Sequence, residues 1–204
     1  MSRTALDNAA LDVSTLPSMG FSHRSLVWWA TLGMIAVEAT VFALAVAAYF
    51  FLRSHSDVWP MQGKPPDLLW GTLNTAIMVL SAIPNHLTKK AAEKFDMKRA
   101  RLWLCVCVVL TVAFLVLRVF EFMSLNTGWD TNAYGSITWT LLGLHTAHLV
   151  TDFWDTTVLA VMLFVAPLEG KAMVDVSENA FYWYFVVLAW IPIYFVIYWA
   201  PRLH

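Results

Sequence analysis

The sequence predicts an all-α fold, an integral membrane bundle of five transmembrane helices, and three observations carry that prediction. Apolar residues make up 59% of the chain and charged residues only 13%, against about 45–50% and about 25% in an ordinary soluble domain. Five apolar segments each meet or exceed the roughly 20 residues that cross a hydrocarbon core. Eleven tryptophans, within an aromatic share of 15%, suit aromatic belts at two membrane interfaces.

The segments follow one another along the chain. Residues 1–24 are polar and mixed, without the apolar core of a signal peptide, and read as a short, poorly ordered cytoplasmic tail. Residues 25–204 form the five-helix domain. Its first segment runs Leu26–Leu52 and carries Glu38. The second, Leu68–Leu87, contains Pro84, and the fifth, Glu178–Ala200, contains Pro192; neighbouring helices can satisfy the carbonyls these prolines free. The third, Ala100–Ser124, holds Arg118 and Glu121. It also holds Cys105 and Cys107, which point to nearly opposite sides of a helix and read as small apolar-phase residues. The fourth, Tyr134–Pro167, would be about 50 Å long by helical rise, so it must tilt or project. No internal repeat and no broken-helix pair suggests a transporter.

Loop charges predict the orientation. The connection after the second segment holds Lys89, Lys90, Lys94, Lys98, Arg99 and Arg101, whereas NTGWDTNAYG after the third has no cation. The N-terminus is therefore expected in the cytoplasm and the C-terminus in the periplasm. Arg3, Arg24 and Lys171 then also fall inside; Arg53, Lys64 and Arg202 fall outside. Lys89 and Lys90 are expected to anchor to anionic lipid. A formal net charge of −1 leaves no electrostatic footprint for nucleic acid.

Ionisable residues inside a bilayer are costly and usually paired. In the fourth segment, His145, His148, Asp152 and Asp155 fall within about 80° of one another at 100° per residue, a stripe about 15 Å long. It must face other helices. A zinc or iron site would draw on these ligand types, but the Glu-x-x-His pairs of helical di-iron bundles do not recur. Haem would need an opposed histidine, and His86 is the only other candidate. Metal site: none expected. Interhelical hydrogen bonding is the simpler use of the stripe. Glu38 and His145 both lie near the midplane, so a Glu38–His145 or Glu38–His148 pair is expected. Such a pair also exchanges protons, which leaves a proton or gating role open. Arg118 and Glu121, three apart, are expected to pair along the third helix near its outer end, with Trp129 and Tyr134 at headgroup level.

Taken together the segments resemble subunit III of the haem–copper terminal oxidases, in a divergent short form with five helices rather than seven. The resemblance covers about residues 24–202 and keeps the family's order. GMIAVEATVFALAVAAYFFLR resembles the family helix with a buried glutamate, the place of Glu38. WPMQGKPPDLLWGTLNTAIMVLSA resembles its Pro-rich loop and Asn-Thr helix, with Asn74 and Thr75. LRVFEF resembles its Gln-x-x-Glu-aromatic end, with Glu121. AYGSITWTLLGLHTAHL resembles its Tyr-Gly-Ser … Gly-x-His-x-x-His signature, and NAFYWYFVVLAWIPIYFVIYW its last helix. The departures are Tyr184 and Val187 where the family has His and Asp, Arg118 for Gln, and Asp152 for Gly. Asp155 has no placed counterpart. One expectation is that Asp152 compensates for the carboxylate lost from the fifth helix.

The resemblance implies a non-catalytic accessory subunit of a respiratory oxidase in a bacterial cytoplasmic (inner) membrane. It would contact subunit I chiefly, and subunit II, with the haems and copper held in the partner catalytic subunit and no redox cofactor in this chain. It also implies bound phospholipid and support of proton uptake and oxygen access in a complex that reduces oxygen and pumps protons. The electron donor, cytochrome c or a quinol, is left open. The competing readings are a subunit-III-like partner of a nitric oxide reductase and a stand-alone proton-conducting or transport protein using Glu38, His145 and His148. A metal-binding membrane enzyme is a third class, for which the fourth helix alone offers too little.

Overall fold

The computed structural model describes residues 20–61, 64–165 and 170–203. Most of the expected tail, and the expected end of the fourth segment at Pro167, lie outside them. Five helices follow in order: α1 (Leu26–Ser54), α2 (Leu68–Glu93), α3 (Met97–Met123), α4 (Ala133–Val165) and α5 (Gly170–Tyr194). A π-helical turn over Phe195–Trp199 and a 3-10 turn over Ala200–Arg202 extend α5. All five helices are long and apolar enough to cross a membrane.

The helix ends are set by local chemistry. Ser25 caps α1, its Oγ accepting from the Val27 amide at 3.2 Å, as N-cap hydroxyls do. Asp96 caps α3 through Arg99 N, and Asn132 Oδ1 accepts from Gly135 N at 2.8 Å at the start of α4.

The largest departure from sequence expectation is the α2–α3 connection. The cation-rich stretch is not a loop: α2 runs on to Glu93 and α3 resumes at Met97. Phe95 sits at φ 55°, its amide bonded to Ala92 O and that of Asp96 to Ala91 O. That is a Schellman closure, a place usually held by glycine. Most of these cations thus ride on helix ends. Lys89 lies 3.4 Å from Glu93 and 3.2 Å from Ser177 Oγ. α5 likewise begins about two turns earlier than expected, at Gly170.

α2, α3, α4 and α5 form a ring in which each packs on two neighbours, and α1 lies outside it against α4 and α5. Leu26, Val37, Leu44 and Phe51 on α1 are exposed, the expected state of a lipid-facing side. Two apolar clusters fill the bundle. One is built around Tyr49, Phe114, Leu141 and Trp190. The other, around Ala92, Leu104 and Leu163, lies at the end carrying the α2–α3 hairpin.

Candidate functional site

Polar groups sit between these apolar layers in three places. The first is a knot of charge between α2, α3, α4 and the end of α5. Glu121 Oε2 accepts from Arg118 Nη1 and from Asn74 Nδ2, both at 2.8 Å. Its Oε1 accepts from the Tyr198 hydroxyl at 2.6 Å. Arg118 Nη2 lies 3.2 Å from His145 Nδ1, and His145 Nε2 lies 3.1 Å from Val186 O. Guanidinium has no acceptor, so Nδ1 accepts and Nε2–H donates, which assigns a neutral ring. The Trp190 ring covers the guanidinium at 4.3 Å. Arg118 is 1% exposed and Asn74, Glu121, His145 and Tyr198 are 0% exposed.

The expected Arg118–Glu121 pair forms, and it is turned into the ring, where Tyr198 of the π-helical turn bonds to Glu121. Tyr134 is buried too, with the Trp59 ring edge-on at 5.1 Å, while Trp129 is exposed.

The second place lies between α1, α4 and α5. Glu38 Oε2 accepts from the Tyr182 hydroxyl at 2.9 Å, and Glu38 Oε1 lies 3.5 Å from His148 Nε2. His148 Nδ1 is 2.7 Å from Leu144 O and must carry a proton to bond there. A bond between Nε2 and Glu38 therefore requires one further proton, on the ring or on the carboxyl. Of the two pairings left open by the sequence, the structure brings Glu38 to His148; His145 goes to Arg118. The Phe42 ring packs against both imidazoles, with centroids 4.8 Å from His148 and 6.2 Å from His145.

Asp152 forms the third place. It is 2% exposed; Thr156 Oγ1 lies 3.4 Å from its Oδ2 and receives the Asn179 amide at 2.8 Å. Its Oδ1 has no partner among the described residues. It borders a cavity of about 10 Å³ that Ser81, Asn85, Cys107, Asn179 and Trp183 also line, room for about one water molecule. Asp152 therefore faces α5. The fifth-helix departures sit elsewhere: Val187 is buried, and the Tyr184 hydroxyl is 3.1 Å from His86 Nδ1. Asp155, three residues further along α4 than Asp152, is exposed. Cys105 is exposed and Cys107 half-buried. Among the described residues no three His, Cys, Asp or Glu side chains gather as a metal-ligand set.

Sequence reasoning missed Tyr182, Tyr198, Trp190 and Asn179 as partners. A buried tyrosine hydroxyl needs a partner, so the fifth segment's tyrosines held a usable signal. It was masked by the aromatic density of that segment.

Fold and site define a polytopic α-helical membrane protein that pairs Arg118, Glu121 and His145 inside its bundle. The family described as cytochrome c oxidase subunit III matches residues 31–201, and the chain belongs to that family. A cytochrome c oxidase subunit 3 of Thermostichus vulcanus is 26% identical over 169 residues, covering 81% of this chain and 83% of the relative. One of Synechocystis sp. is 25% identical over 181 residues, covering 86% and 76%. A haem–copper oxidase subunit I+III of Aeropyrum pernix is 26% identical over 187 residues, 85% of this chain and 22% of that longer protein.

Proposed function

We propose that this chain is a non-catalytic accessory subunit of a respiratory haem–copper oxidase in a bacterial cytoplasmic membrane. The observation that carries the reading is the family match across all five helices, with the family's Glu38, Asn74, Glu121, His145 and His148 each held in a buried or half-buried polar contact. Subunit I is the main partner in this reading, supported by the relative whose name joins subunits I and III, and subunit II lies nearby. The haems and copper belong to the catalytic subunit. This chain stabilises it, contributes to proton uptake and oxygen access, and carries bound phospholipid against its exposed apolar faces. The basic α2–α3 hairpin lies in the cytoplasm, which places the N-terminus inside and the C-terminus in the periplasm.

Glu38 and His148 form the proton-exchanging pair, because with His148 Nδ1–H given to Leu144 O their 3.5 Å contact becomes attractive only with a further proton on the ring or the carboxyl. Arg118, Glu121 and His145 act differently: they are fully covered, linked to one another through the Arg118 guanidinium, and hold the helices in register. Asp152 is the second buried exchange candidate, with one oxygen open to its cavity.

The test is purification of the assembly from its native membrane in mild detergent, with haem spectrum, mass identification of partners and oxygen consumption. A co-purifying haem-bearing subunit with oxygen consumption is expected; a monodisperse chain without partners overturns the reading. Nitric oxide as an alternative substrate separates the reductase-partner reading, which Tyr184 and Val187 favour by departing from the oxidase pattern. Glu38→Gln is expected to speed inactivation during turnover while leaving the initial haem spectrum unchanged. An immediate spectral change in an intact assembly counts against this.

A further inference from the structure

The Asp152 cavity is lined by all four helices of the ring, and its polar groups are mostly of one kind. The hydroxyls of Ser81 and Thr88 on α2 and of Thr111 on α3 donate to carbonyls of their own helices: Met78 O at 2.6 Å, Pro84 O at 2.9 Å and Cys107 O at 2.9 Å. A hydroxyl that gives its proton to the backbone offers only lone pairs to other neighbours. The side-chain amides of Asn85 on α2 and Asn179 on α5 donate to Ala180 O and Thr156 Oγ1, both at 2.8 Å, which leaves their carbonyl oxygens as acceptors. The Trp183 indole gives its N–H to Ser81 Oγ at 3.0 Å. No lysine, arginine or histidine lines the space among the described residues.

Among these acceptors α4 sets a carboxyl group. Asp152 is buried, its Oδ2 receives the Thr156 hydroxyl at 3.4 Å, and its Oδ1 has no partner among the described residues. A buried carboxylate facing lone pairs is costly unless positive charge joins it. One carboxylate calls for one charge, because a divalent ion would leave an excess charge inside the bilayer. A carboxylate with neutral oxygens is a hard donor set, unlike the nitrogen and sulfur ligands that favour zinc or iron. The volume of about 10 Å³ takes one body of the size of water. That admits a bare alkali ion and excludes an alkylammonium.

We propose that this cavity is an internal site for one dehydrated monovalent metal cation, with Na⁺ as its probe. Asp152 Oδ1 supplies the charge, and hydroxyl and amide oxygens of α2, α3 and α5 replace the ion's water. The ion then ties four helices together at a depth where none of them brings a cation of its own. The inference deepens the reading of Asp152 as a buried exchange site, with a metal ion as the competitor of the proton, and does not depend on the partner enzyme.

The complete assembly in mild detergent is equilibrated in NaCl, KCl or choline chloride at matched ionic strength. Hydrogen exchange is then read by mass spectrometry on α4 and α5 peptides of this chain. Choline is too large for the cavity and reports ionic strength alone. Exchange is expected to slow in Na⁺ relative to choline, by about tenfold at ten times the half-saturating concentration, since binding to the closed bundle alone multiplies protection by one plus the ratio of ligand to Kd. K⁺ acting in place of Na⁺ identifies the other ion and supports the same chemistry. Asp152→Asn keeps the shape and removes the charge. It is expected to abolish the Na⁺ response while leaving exchange in choline no faster than in the unaltered chain; faster exchange in choline marks a merely structural carboxylate and overturns the proposal. Where Asp152→Asn does not assemble, Thr111→Val decides, with an expected rise of about fivefold in half-saturating Na⁺ for one lost oxygen. An equal response to choline, or a Na⁺ response that survives Asp152→Asn or is unmoved by Thr111→Val, overturns the proposal. So does indifference to every cation, which assigns Asp152 a proton of its own. Oxygen consumption is not the readout, so failure here is separate from failure of the oxidase reading.

Discussion

Glu121 collects three donors from three stretches of the chain, Arg118, Asn74 and Tyr198. Removing one partner of such a pair strands the other charge. Glu121→Leu or Arg118→Leu alone is expected to cost about 3–5 kcal/mol, whereas the double substitution is expected to cost less than the worse single one. Chemical unfolding of the four forms in detergent checks this as a double-mutant cycle. At the second place, Tyr182→Phe removes the only hydroxyl donor to Glu38 among the described residues. It is expected to shift the carboxyl infrared band assigned to Glu38 by isotope labelling, and an unchanged band would contradict the contact's role. The sequence made the i,i+3 pair of Arg118 and Glu121 legible, since one helix turn sets their spacing. It did not make Asn74 or Tyr198 legible as partners, because those contacts span 47 and 77 residues and depend on how whole helices pack.

Among the elements, α5 with its π-helical extension organises the others, touching α1, α2 and α4. Gly71 on α2 has no room for a side chain: a Cβ there would overlap the Tyr198 ring. Gly71→Ala is therefore expected to push that ring off Glu121 and to cost about 1–3 kcal/mol, as overpacking does. Thermal unfolding measures the loss, and adding Tyr198→Ala is expected to make it smaller. Five apolar segments were readable because the bilayer demands helices with internal backbone bonding. Their ends were less so. Lys89, Lys90 and Glu93 look like a loop by polarity, yet helix propensity is good for all three, and helix ends that project beyond the bilayer need not be apolar. The closure at Phe95 was hidden because its backbone position is normally marked by glycine.

For the molecule as a whole, the proposed orientation has a direct check. With a membrane-impermeant thiol reagent on cells, Asp130→Cys is expected to label from outside and Lys94→Cys only after permeabilisation. Cys105 and Cys107 lie within the span and are expected to stay unlabelled. Reversed accessibility would invert the topology. The fold class was legible from composition and segment length, whereas the outboard placement of α1 was not, since α3, which lies in the ring, is more apolar than α1. That placement bears on how the chain is made. Glu38 reaches the membrane on α1, and Tyr182, its hydroxyl donor, follows 144 residues later. At about 5–20 residues per second of translation, the carboxyl waits roughly 7–30 s for that partner. During biogenesis α1 must therefore be sheltered by the insertion machinery, or by an already assembled neighbour, until α4 and α5 arrive to receive it.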